Sequence, residues 1–155
     1  MGSDYDQHLA ELRKLYVEAT PRQRYGIAQQ RITNPEHGPN VLVACVSAVE
    51  GLARSLAMHL HASTKADLSS LYPKYKWRGP AELIEQYLFE RGLPSPRDHF
   101  GGEVWERFLY AVEYRNVLAH ECTYLGQDRS PSLIDACETI LHKLAATAGL
   151  KAASA

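Results

Sequence analysis

Glu113-Tyr114-Arg115-Asn116-Val117-Leu118-Ala119-His120-Glu121 closes an apolar stripe, and its reading decides the rest of the chain. Just upstream, Trp105, Phe108, Leu109 and Val112 recur at the three-and-four spacing of a buried helix face. That face runs on into Asn116, with Arg115 beside it. A guanidinium and an amide carried toward a core must find partners or do chemistry there. His120 follows Arg115 by five residues, which is roughly 140° around a regular helix. The two side chains therefore converge only where the helix bends or ends. Tyr124, Gly126 and Pro131 place that end shortly after His120.

The same spacing recurs in Arg54…His59, and more loosely in Arg31…His37. With eleven arginines and seven histidines in 155 residues, composition alone supplies roughly half of one such pair. Arg54 and His59 fall inside one long helical pattern, whereas His120 stands near a helix end. Context singles out Arg115 and His120.

Outward from this stretch the signals are helical. Ser3 is placed to cap a first helix over 4–19, with Leu9, Leu12, Leu15 and Tyr16 on one face. Thr20-Pro21 opens a second segment to Ile32, and 34–39 reads as a loop. A long helix over 40–62 carries the stripe Leu42, Cys45, Val46, Val49, Leu52, Leu56 and Leu60. Residues 64–77 predict a weaker helix broken at Pro73. Another over 80–91 is ended by Gly92 and Pro94, and 93–102 reads as a loop. The signature helix covers 103–122. Ser130-Pro131 starts the last helix, through 147, with Leu133, Ile134, Cys137, Ile140, Leu141 and Leu144 inward. No segment alternates at period two for long enough to form a sheet. The expected fold is all-α: a helical bundle with an antiparallel long-helix core plus short extra helices.

With 155 residues and 45% hydrophobic content, the chain is expected to form a single domain with a real core, residues 149–155 being a flexible tail. A formal net charge of −1 argues against an indiscriminate nucleic-acid binder and leaves room for a local basic site. Cys45, Cys122 and Cys137 have neither paired nor metal-type spacing. They read as reduced thiols of a cytoplasmic protein, Cys45 and Cys137 being buried. No leader and no membrane span are expected, because the apolar run Val41 to Val49 gives way to Glu50 and Arg54.

Other features have bland and sharp readings. Glu50 and Arg54 lie one helical turn apart and suit an ion pair worth little. Tyr72-Pro73-Lys74-Tyr75-Lys76-Trp77-Arg78 interleaves three cations and three aromatics with no acid. Lys74, Lys76, Trp77 and Arg78 suit RNA binding, and a solvated helix end serves equally well. No metal and no other cofactor is expected. His120-Glu121 begins a zincin-like motif, but Tyr124 stands where the second His belongs. His59 and His61 point to different helix faces without a third ligand.

Arg115-Asn116…His120 resembles the signature of the HEPN superfamily: Arg, a polar residue, then His after four to six intervening residues. These are small all-helical domains found in many prokaryotic ribonucleases and toxins. The resemblance rests on about ten residues and on the helix order. It implies a metal-independent endoribonuclease of a toxin or defence effector, with RNA as substrate and a homodimer completing the site. An antitoxin or other regulatory protein is a further implied partner. Arg115 would hold the scissile phosphate, since its planar fork of donors matches phosphate oxygens. His120 would move protons near neutral pH, and Asn116 would orient its neighbours. The resemblance also makes Glu50, with Arg54, a support for Arg115. In related toxins a tyrosine two places after the histidine accepts nucleotides from a nucleotidyltransferase antitoxin. Cys122 stands there, so control by that route does not fit. Two other readings stay open: a catalytically silent adaptor binding a partner protein or nucleotide, and a structural role with Arg115 paired to Glu113, Glu121 or Glu50 and His120 at a helix end.

Overall fold

Caps and prolines set most of the helix starts. The computed structural model describes residues 2–18, 20–23, 25, 34, 36–123 and 129–150. Its elements are α1 (Gly2–Glu18), α2 (Gly38–His59), α3 (Lys65–Tyr75), α4 (Pro80–Glu90), α5 (Pro96–Phe100), α6 (Gly102–Glu121) and α7 (Ser130–Thr147). There is no strand among the described residues. The protein is all-α. Proline occupies a first-turn position in α2, α4, α5 and α7, where no N–H is needed. At α3 the Thr64 hydroxyl accepts from Asp67 N at 3.1 Å, and the Asp67 carboxylate accepts from Thr64 N at 3.1 Å. This reciprocal box satisfies two orphan donors. Thr20 and Gln23 exchange the same pair of bonds at the start expected for the second segment. The remainder of that segment, 26–32, and the tail from 151 lie outside the described residues.

α2 is the centre. It packs on α7, α4, α6 and α3, while α6 also packs on α7, α5 and α1. The buried line of α2 is Leu42, Val46, Val49, Ala53 and Ala57. This corrects the expected stripe by a rotation. Cys45, Leu52 and Leu56 sit half-buried at its edge, and Leu60 is exposed. Alanine takes the innermost positions because neighbouring helices approach from several sides. Phe108, Tyr114, Leu118, Leu133 and Ile140 complete the core, all fully buried. Among the described residues α2 alone is long and apolar enough to cross a membrane. Here its charged pair, Glu50 and Arg54, is bonded together within the packed bundle.

Three boundaries differ from expectation. Ser3 stands inside α1 and not before it. α3 runs through Pro73 to Tyr75. The proline removes one N–H donor near the helix end, where exposed Ser69 can give its carbonyl to water. The loop 93–102 contains α5, capped by Ser95 accepting from Asp98 N at 3.4 Å. Ser-Pro-x-Asp carried that signal.

Candidate functional site around Arg115

Two adjacent turns of α2 face α6 at Arg115. Glu50 and Arg54 are four residues apart, so their side chains lie on one face of α2. Arg115 Nη2 donates to Glu50 Oε1 at 3.1 Å, and Arg54 Nη2 donates to Glu50 Oε2 at 2.9 Å. One carboxylate thus bridges two guanidiniums. Arg115 Nε donates to Asn116 Oδ1 at 3.1 Å, and Ser47 Oγ lies 3.5 Å from Arg115 Nη1. Arg54 reaches further: its Nε donates to the Tyr75 carbonyl at 3.2 Å and its Nη2 to the Arg78 carbonyl at 3.0 Å.

The cluster is only partly in water, with the Arg115, Arg54 and Glu50 side chains 16%, 17% and 22% exposed. Burial by itself would raise the Glu50 carboxyl, but hydrogen bonds and charge from Arg54 and Arg115 outweigh it and hold the group below its ordinary value. Two cations against one anion leave the cluster net positive. Three of the five N–H groups of Arg115 are directed at Asn116, Ser47 and Glu50. The remaining two have no partner among the described residues, so an anion can still be bound.

His120 is exposed and takes no part in this network. α6 remains helical through Glu121, which keeps Arg115 and His120 on different sides of the axis. The helix then stops at Cys122, whose φ of 50° and ψ of 46° put a non-glycine residue in the left-handed region. Such a conformation costs about 1–2 kcal/mol relative to right-handed backbone. It turns the chain sharply two residues after His120.

The paired-residue alternatives are resolved by geometry. Arg115 bonds Glu50, whereas Glu113 lies 3.7 Å from Arg13. His59 is exposed, with its Nδ1 2.8 Å from the Ser55 carbonyl, and His61 faces Glu90. The two histidines therefore have separate partners. All three cysteines are free. Cys137 is buried, but Cys45 is only half-buried, a consequence of the rotation of the α2 stripe.

The basic aromatic segment divides into two sets. Tyr75 is buried, and the Arg78 guanidinium lies 4.6 Å over its ring and bonds Gln86. Tyr72, Lys74, Lys76 and Trp77 are exposed. Arg78, half-buried, braces this turn against α4, unlike the three exposed residues Lys74, Lys76 and Trp77. A hollow of about 500 Å³ lined by Glu85, Phe89, Leu93, Arg97 and Trp105 includes none of the signature residues. No protein-family model matches the chain, and neither a curated protein nor a solved structure matches it.

Proposed function

We propose that this protein is a HEPN-like, metal-independent endoribonuclease of the toxin or defence-effector kind, working as a homodimer. The observation that carries the reading is Arg115 itself. It is held by Glu50 beside Asn116, with N–H groups to spare and a net positive surround, on a helix that ends just after an exposed histidine. Anion binding by such a guanidinium is what cleavage of a phosphodiester requires.

The ribose 2′-hydroxyl is the nucleophile. His120 takes its proton, the 2′-oxygen bonds to phosphorus, and the bond to the 5′-oxygen breaks. The protonated His120 gives that proton to the leaving 5′-oxygen, and the products are a 2′,3′-cyclic phosphate and a 5′-hydroxyl. Within one chain His120 stands apart from Arg115. An isologous interface with α6 near the two-fold axis would bring two such pairs to one cleft.

The second reading is a silent adaptor that binds a partner protein or nucleotide. The bond between Arg115 and Glu50, together with the distance of His120 from that network, favours it. Purified parent and His120→Ala, assayed on structured and unstructured RNA with and without chelator, decide between the two. The expected result is a loss of roughly two to four decades in rate for His120→Ala, with no effect of chelator and no cleavage of DNA. Arg115→Ala is also crippled, and Asn116→Ala is harmed less. Equal activity of parent and His120→Ala would mean contamination. No activity in either, with no slowing of the expression host, would overturn the nuclease and turn the reading to the adaptor. A monomer at micromolar concentration in light scattering would overturn the shared cleft.

A further inference from the structure

Trp77 is the most exposed large hydrophobic side chain described, at 85%. An indole of that size is normally buried or engaged at an interface. Its surroundings are cationic: Lys76 Nζ lies 5.1 Å from its ring centroid, Lys74 is exposed two residues earlier, and Tyr72 is half open to solvent. No acidic residue occurs from 68 to 81. Lys76 covers one face of the indole, and at this exposure the opposite face is open. A flat π-surface flanked by ammonium groups and free of carboxylates complements a strand carrying both bases and phosphates.

The segment is held rigidly. Tyr75 is buried beneath Arg78, and Arg78 bonds Gln86 on α4. Arg54 then ties it to the candidate site, because the guanidinium that bonds Glu50 also donates to the carbonyls of Tyr75 and Arg78, on either side of Lys76 and Trp77. One carboxylate and one guanidinium separate Arg115 from the backbone that presents Trp77.

We propose that Lys74, Lys76 and Trp77 form a binding platform for unpaired RNA, with a base stacked on Trp77 and phosphates on the two lysines, leading the strand to Arg115. The identity of the ligand rests on the ribonuclease reading. An unpaired strand is the form selected, since a duplex hides its base faces.

The test uses the full chain carrying His120→Ala, so that bound RNA survives, with oligouridylate as probe. Oligouridylate should quench Trp77 fluorescence, whereas buried Trp105 contributes a constant background. Trp77→Ala should weaken binding roughly 5- to 150-fold, the range for loss of one stacked base, while Trp77→Phe retains most of it. Lys74→Ala and Lys76→Ala should each flatten the logarithmic salt dependence by about 0.7. An unchanged circular dichroism spectrum would show that these exposed changes leave the fold intact. Unaltered affinity in Trp77→Ala would overturn the platform. So would tighter binding of the same RNA annealed to its complement, or quenching only by phosphatidylserine vesicles. Failure of the cleavage reading leaves a different trace: His120 makes no difference to RNA turnover, yet binding that depends on Trp77 persists.

Discussion

Replacing Glu50 by glutamine keeps the shape of the bridge between α2 and α6 and removes its charge. In the parent, one carboxylate accepts from Arg115 at 3.1 Å and from Arg54 at 2.9 Å. The amide can accept from one of them at most, and it turns an NH₂ group toward the other. Two guanidiniums, 16% and 17% exposed, are then left facing each other. Breaking a fully buried ion pair by removing one partner costs about 3–5 kcal/mol. With about a fifth of each side chain in water, screening reduces this to about 2–3 kcal/mol. In a domain of this size each kcal/mol moves the melting temperature by about 2–4 °C, so a fall of about 4–12 °C is expected. The pH dependence supplies a second check. The folded-state pKa of Glu50 is depressed, so its stabilisation is full above the ordinary value of 4.5 and fades as pH falls through and below it. Thermal melts of parent and Glu50→Gln should therefore differ most at neutral pH, and the gap should narrow as pH falls below 4.5. Equal melting temperatures at pH 7, or a gap that persists unchanged in acid, would refute the bridge.

His8 on α1 is 2% exposed between the rings of Tyr110 and Tyr114, with centroids 5.7 and 5.2 Å away, and neither ring nitrogen has a hydrogen-bond partner among the described residues. Burial, and then the Arg129 cation, lower its pKa against the opposing pull of Glu11 and Asp4. The unfolded chain thus binds the proton more readily, and stability should fall as pH drops through 6.5. His8→Phe should remove that dependence and stabilise the protein by about 1 kcal/mol at neutral pH; chemical denaturation at pH 7.5 and 5.5 reads both. Burial pushes the Cys137 thiol up to about 12, so almost no thiolate forms at pH 8. Native-state labelling should accordingly spare Cys137 until the protein unfolds, and its prompt modification would show that the buried face of α7 is misplaced.

Much of the fold was legible in the order of residues. Period-3.6 stripes, proline at first-turn positions and Ser/Thr caps are local signals, and α1, α2, α4, α6 and α7 follow them closely. α5 was hidden in a segment dense with proline and glycine, although Ser95 and Asp98 carried its cap. Past Val49, the inward line of α2 could not be read from hydropathy. Leu52, Leu56 and Leu60 outrank Ala53 and Ala57 on any such scale, but only small side chains fit where several helices crowd the axis.

The candidate site divides along the same line. The Arg-Asn…His spacing and the end of the helix just beyond it are properties of the chain, because they depend on neighbours a few residues apart. That Arg115 meets Glu50, 65 residues away, depends on how α6 packs against α2. So does the reach of Arg54 to the carbonyls of Tyr75 and Arg78, and the separation of Trp77 from Tyr75 into exposed and buried partners. Local patterning determined which helices form and which residues could carry chemistry. Tertiary packing alone decided which charges share a carboxylate, because a partly buried guanidinium takes whatever acceptor the neighbouring helix brings within reach.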